Sequence, residues 1–338
     1  MRRIVNSISR LSWVYIAAFN IAALTAFALA VLLQYTQPIV GRHAAAMGPA
    51  NITAKRIAFS LDDTPRAPGA FLDVTQRPAI LLKAMKDGGI KSAAFFTNPG
   101  RISGTNKGAE TIAAYANAGH VIANHTQNHA PLSDVSAAAF LSAIDEAEMW
   151  LKPQKNYRPW FRFPRLDEGR KDKAKRDAVR DGLKQRGLRN AYVTADGWDW
   201  YMESRAKEAK RAGKAMDMAG LRALYIETHV ESANFSDRLA QRILGRRPVQ
   251  MMLLHDTDLA AMYIDDLAKA LRADGWEIVS ADTAYADPLA KMTPNPEFAD
   301  GTILEMLAWD KDIHGNRWFP RNNIPAAQKL FATRVLHE

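Results

Sequence analysis

Arg56 to Asp63 reads RIAFSLDD, a mostly apolar stretch that runs directly into two adjacent carboxylates. Five or six residues of β character ending in Asp62-Asp63 predict a buried strand whose end opens on solvent and a ligand at a sheet edge. Adjacent side chains on an extended chain face opposite ways. The two acids are therefore expected to play different parts, one binding a metal and one facing a substrate. The plain alternative is a strand end feeding the Thr64-Pro65 turn, and the rest of the chain decides against it.

Working outward, short apolar runs alternate with longer helical stretches. Candidate strands are Arg56–Leu61, Ser92–Thr97, His120–Asn124, Pro159–Phe163, Asn190–Ala195, Val249–Leu254 and Trp276–Ser280. Between them lie amphipathic or Ala-rich segments such as Pro78–Asp87, Ala109–Ala118, Asp134–Leu151, Lys171–Arg186 and Leu259–Ala273. Several end where a glycine can stop a helix, at Gly88, Gly119, Gly187 and Gly275. This alternation predicts a parallel α/β architecture, either a barrel or an open sheet. Tyr201 to Arg247 suggests two helices. The Lys- and Arg-rich stretch from Lys171 to Arg189 reads as a solvated helix face. The tail after Asp287 carries Trp309, Trp318 and Phe319, too many aromatics for disorder, and is expected to pack back on the domain at a place the sequence does not specify.

Composition is globular, with 48% hydrophobic and 24% charged residues among 338. The net charge of +9 suits an anionic envelope surface as well as nucleic acid, and no nucleic-acid motif supports the latter. There is no cysteine, so thiolate and disulfide chemistry are excluded and any metal must sit on His and carboxylate. Arg2, Arg3 and Arg10 precede an uncharged apolar run from Leu11 to Leu33, long enough for a bilayer-spanning helix. The basic flank predicts a cytoplasmic N-terminus, an inner-membrane single-pass anchor and a domain facing the periplasm or exterior. A long signal peptide cut near Ala44-Ala45-Ala46 is the rival reading. The organisation expected is a cytoplasmic N-terminus over 1–10, the anchor over 11–33, a linker over 34–54, a catalytic domain over 55–287 and an extension over 288–338.

Chemistry-bearing residues come at the end of strand after strand. Asp62 and Asp63 follow the first, His125 and His129 the third, Arg162 the fourth, Asp196-Gly-Trp-Asp199-Trp200 the fifth, and His255-Asp256 the sixth. Ligands of α/β folds bind at the carboxyl ends of strands, where unrelated surface residues would not gather. The spacing of four between His125 and His129 is expected to put two imidazoles on one side of a helical turn. With one carboxylate they make a three-ligand set with open positions, as in a catalytic zinc site. A neighbouring carboxylate as base and a separate His as acid complete a hydrolase for an amide or ester.

In this order, SLDDTP, HTQNH, RFP, DGWDW and LLHD resemble the motifs of the polysaccharide deacetylase family, carbohydrate esterase family 4. The resemblance runs from about Arg56 to Ser280 and implies a distorted (β/α)7 barrel. It also implies a role for each matching residue. Asp62 is the general base. Asp63, His125 and His129 hold one divalent metal, most often zinc. Arg162 orients the base. His255 is the general acid, tuned by Asp199, with Asp199 itself in the neighbourhood of Arg162. Trp200 and Leu254 help wall the acetyl pocket. Thr64 replaces the usual Gly, and Arg165 stands where an aromatic residue is common, altering the pocket rim. The expected partner is a glycan substrate, with the membrane reached through the N-terminal helix. A catalytically silent glycan-binding module, and a hydrolase of a non-sugar amide or ester, remain as alternatives.

Overall fold

The computed structural model describes residues 54–103 and 106–338. The anchor or signal segment expected over 11–33 lies outside these residues, as do the N-terminal stretch before it and almost all of the linker. Among the described residues no helix is long and apolar enough to cross a membrane.

The chain builds a curled parallel sheet with helices packed around it. In order, the elements are β1 (Lys55–Thr64), α1 (Gln76–Asp87), β2 (Ala94–Thr97), α2 (Gly108–Asn117), β3 (Val121–Asn124), α3 (Ala137–Leu151), β4 (Tyr157–Phe161) and β5 (Asp167–Arg170). They continue with α4 (Lys173–Gln185), β6 (Arg189–Asn190), β7 (Ala195–Asp196), α5 (Asp199–Arg211), α6 (Met218–Leu244) and β8 (Gln250–His255). The last are α7 (Asp258–Ala273), β9 (Trp276–Ile278), α8 (Ala281–Tyr285), β10 (Ala299–Asp300), α9 (Ile303–Asp310) and α10 (Ile324–Phe331). The sheet runs β6-β4-β3-β2-β1-β8-β7, with β9 joined to the start of β1. The strand expected over Asn190–Ala195 is two short strands, β6 and β7. They pair with β4 and β8 respectively, so the curl ends at this seam.

Strand parity positions the site residues. In β1, Ile57, Phe59 and Leu61 face outward into a core shared with α1, α2 and α7. Ala58 faces the inside of the curl, alongside Phe96, Val121, Ala123, Trp160, Met251 and Leu253. Fully burying each outward side chain contributes about 1.5–3 kcal/mol. The period of two then carries the inside face forward to Ser60 and Asp62 on β1, His125 after β3, Arg162 after β4 and His255 on β8. In the parallel register Asp62 lies directly beside His255.

The same parity corrects one expectation. Leu254 is completely buried in the outer core and cannot wall a pocket inside the curl. Leu253, one residue earlier, lines the cleft instead.

The basic stretch over 171–189 is more than a solvated face. Arg176 is buried, and it donates to the Pro296 carbonyl at 2.9 Å and to Asn295 Oδ1 at 2.6 Å. Arg180 bonds Glu168 and the Pro294 carbonyl, the latter at 2.9 Å. These two arginines fasten the start of the C-terminal extension, whose β10 then pairs antiparallel with β5. A reciprocal Thr302–Glu305 cap begins α9, which buries Ile303, Leu304 and Leu307. The extension thus packs back on the domain, and its path leads to the rim where the site residues gather.

Candidate functional site

Asp62 is buried at the carboxyl end of β1. Arg162 Nη1 reaches both of its oxygens, at 3.0 and 3.1 Å. The guanidinium is itself buried and lies 4.2 Å from the centre of the Phe96 ring. Its Nη2 donates to the Tyr285 hydroxyl at 2.9 Å and to Ser60 Oγ at 3.2 Å. Burial pushes the Asp62 carboxyl above its ordinary value, against the opposing pull of Arg162. Tyr285 and Ser60 hold the arginine in place; Ser60 opens the SLDDTP motif, whereas no motif in the sequence marks Tyr285.

Asp63 does not obey strand alternation. Its φ of 71° is left-handed, and the β1–β2 register slips between Leu61 and Thr64. This twist brings the carboxylate onto the same rim as Asp62 instead of the opposite face. Asp63 Oδ1 lies 2.9 Å from His129 Nε2 and 3.8 Å from His125 Nε2. Burial works against its ionisation, but the imidazole of His129, the charge of His255 and the Arg66 guanidinium outweigh that and hold it well below the usual carboxylate range.

His125 and His129 meet through a loop, which corrects the expected helical turn. Thr126 and His129 both have positive φ, 66° and 60°. The Thr126 amide donates to Asn124 Oδ1 at 2.7 Å and the His129 amide to Thr126 Oγ1 at 2.9 Å. Gly100 presses on this loop, its amide donating to the Gln127 carbonyl at 3.0 Å. A Cβ at position 100 would sit 2.3 Å from that oxygen, so only glycine permits the approach.

Asp63, His125 and His129 offer ligand atoms that all lie within 4.8 Å of one another. Three features fit this set to a divalent ion. Asp63 Oδ1 is buried with no hydrogen bond aligned on it. His125 Nδ1 bonds the Arg162 carbonyl at 2.8 Å, which makes it the protonated nitrogen and leaves Nε2 facing the site. Burial also drives the His125 pKa well down, so the ring is neutral as a ligand must be. Nitrogen and oxygen donors in this ratio suit zinc.

On the other flank, His255 Nδ1 bonds Asp199 Oδ1 at 2.7 Å and its amide bonds Asp199 Oδ2 at 2.7 Å. Asp199 is fully buried at the start of α5. Burial alone would lower the His255 pKa, but the Asp199 carboxylate overrides it and raises the value above 6.5. Asp199 and Arg162 serve different partners, so the expected neighbourhood of the two resolves into separate Arg162–Asp62 and Asp199–His255 pairs.

Asp199→Asn should reverse the His255 shift, because the carboxylate that overrides desolvation of the buried ring would be gone. The pKa should then fall below 6.5. A reaction needing protonated His255 would lose rate at lower pH than in the wild type. The pH profile of kcat/KM reads this directly, and an unmoved alkaline limb would remove Asp199 from the role.

All these groups line or adjoin one cleft of about 720 Å³. Trp200 and Arg165 are on its wall, together with Arg66, Leu166 and Trp198. The far wall comes from the C-terminal extension, through Phe298, Asp300, Glu305, Trp309, Trp318 and Asn322. The only sequence signal for that wall is the aromatic density of the tail.

Fold and site together define an α/β protein of the parallel, curled type with a His-His-Asp ligand set at the carboxyl rim. The family described as polysaccharide deacetylase matches residues 50–190 of the chain. Asp199, His255 and the extension fall beyond the matched span. A comparison with curated proteins finds no match. Among solved structures, the chain is similar to a peptidoglycan deacetylase, PdaC, from Bacillus subtilis, at 19% identity over 69% of this chain and 91% of that one, TM-score 0.45. It is also similar to a family 4 carbohydrate esterase from Streptomyces lividans in complex with acetate, at 18% identity over 68% and 95%, TM-score 0.43. A CE4 family pseudoenzyme from Bacillus anthracis aligns at 14% identity over 69% and 66%, TM-score 0.46.

Proposed function

We propose that the protein is a metal-dependent hydrolase that removes N-acetyl groups from an N-acetylhexosamine-containing glycan, within a distorted (β/α)7 barrel. The observation that carries this reading is the pairing pattern: a buried carboxylate held by arginine and a buried imidazole held by carboxylate, in register on neighbouring strands, beside the His-His-Asp set. When bound on Asp63, His125 and His129, a divalent ion supplies Lewis acidity towards a water and the acetyl carbonyl.

The protein's own groups do the rest. Asp62 accepts the proton of the attacking water, and its raised pKa makes it the stronger base. Arg162 fixes the direction of that carboxylate and keeps it from drifting into the ligand set. His255, kept protonated by Asp199, donates to the leaving nitrogen as the carbon–nitrogen bond breaks. The products are acetate and a free amine. Burial of the groups strengthens each interaction relative to water. The apolar run from Leu11 to Leu33 supports an anchored enzyme with its catalytic domain outside the inner membrane.

The test is acetate release by zinc-loaded protein from chitin oligomers, peptidoglycan and acetylated esters. Release from the glycans is the expected result. Release from esters alone would replace the substrate class, and glycan binding with no release from anything would make the protein a silent binding module.

A further inference from the structure

Two indoles on the cleft wall are left half open to solvent. Trp309 and Trp318 are each 51% exposed, and Phe298 beside the same cleft is 46% exposed. The two indole rings are parallel to within 10°, with centroids 6.3 Å apart. Large aromatics left this open on a folded surface normally mark a ligand face.

The wall that carries them is well tied down. Arg176 and Arg180 fasten residues 294–296, β10 pairs with β5, and the Thr302–Glu305 cap fixes the start of α9. Arg317 lies over the Trp309 ring at 4.0 Å and is itself held by the Ile313 carbonyl at 2.6 Å. Asn322 Nδ2 donates to the Asp196 carbonyl at 3.0 Å, which ties the far end of the wall to the edge of the sheet. A surface ordered before its ligand arrives loses less entropy on binding.

The chemistry of the wall is mixed. Asp300 and Glu305 line the cleft with the indoles, and Asn322 Oδ1 is buried there without a hydrogen-bond partner. A lipid chain would leave those polar atoms desolvated and unpaired. A pyranose has the matching character, with a face of C–H groups to lie on an indole and hydroxyls at its edge for carboxylate and amide oxygens.

We propose that the C-terminal extension forms a second sugar subsite, in which Trp309 and Trp318 hold a neighbouring pyranose ring of the same glycan whose acetyl group is presented to Asp63, His125 and His129. This rests on the deacetylase reading and adds that the preferred substrate is an oligomer, gripped by residues beyond the span the family shares. Arg165 and Trp200 flank the first ring, and the indole pair takes the next.

The experiment compares kcat/KM for acetate release from N-acetylglucosamine monomer, dimer and tetramer in wild type, Trp309→Ala, Trp318→Ala and the double variant. Wild-type kcat/KM should rise with chain length. The double variant should lose about tenfold more on the tetramer than on the monomer, chiefly through KM, because only the tetramer covers both indoles. Trp318→Phe should recover part of the loss. Equal fractional losses at every length, or none, would overturn the subsite and leave the deacetylase standing. A parallel titration follows quenching of indole fluorescence by the tetramer in Asp62→Asn protein. Quenching that disappears in the double variant, with no acetate released by wild type, would keep the subsite and overturn the hydrolase. Neither quenching nor release would overturn both. Losses confined to aromatic esters would overturn the sugar as occupant.

Discussion

Asp63→Ala and His125→Ala proteins are expected to bind zinc at least about 100-fold more weakly than wild type, since even groups that only support a metal's ligands are worth 10–100-fold. Asp63 is the sole carboxylate of the three-residue set, and its ionised state would offset half the charge of a divalent ion. His125 presents Nε2 because the Arg162 carbonyl occupies its other nitrogen. Two readouts separate loss of metal from loss of fold. Elemental analysis gives occupancy after dialysis, and the rise of Tm on adding zinc reports binding to the native state by mass action. Wild type should show both, and the variants should unfold cooperatively yet show neither. Full metal content in either variant would refute the ligand assignment.

Asp62→Asn is expected to retain zinc and lose turnover, with kcat lower by about 10²–10⁴, the range that a general base contributes. The substitution is nearly isosteric and preserves an acceptor for Arg162 Nη1, but removes both the negative charge and the proton acceptor. It also leaves a buried guanidinium without its counter-charge. Breaking such a pair costs about 3–5 kcal/mol, so a reduced Tm is part of the expected result. The retained response of Tm to zinc distinguishes this variant from the ligand variants. A kcat within threefold of wild type would show that Asp62 is no base, whatever its position.

The two kinds of variant test different halves of one arrangement, and the sequence foreshadows both halves unequally. The acids after RIAFSL and the histidines of HTQNH are legible because strands bounded by turn residues deliver the side chains at their ends to one rim. The physical reasons for their convergence differ in part from the ones the pattern suggests. Strand alternation predicts opposite faces for Asp62 and Asp63, whereas a left-handed φ at Asp63 turns both acids to one cleft. The His125–His129 spacing suggests a helix, whereas side-chain caps from Asn124 and Thr126 fold a loop to the same end. Leu254 and Leu253 look interchangeable in LLHD, and only knowing which residues of β8 face inward separates pocket from core.

Other features leave no readable trace in the chain. Tyr285 supports Arg162 from 123 residues away. Arg176 and Arg180 sit in what looks like an ordinary charged helix, yet they clamp the extension that closes the cleft.

Sequence alone determined the parallel α/β class and which residues gather at the rim, because local patterning marks where strands end and those residues lie directly after strands. Tertiary structure decided which carboxylate meets which cation, which leucine faces the ligand, and that the Trp-rich tail forms a wall of the site. Those choices depend on backbone handedness at single residues and on contacts between distant segments, where no local periodicity carries the information.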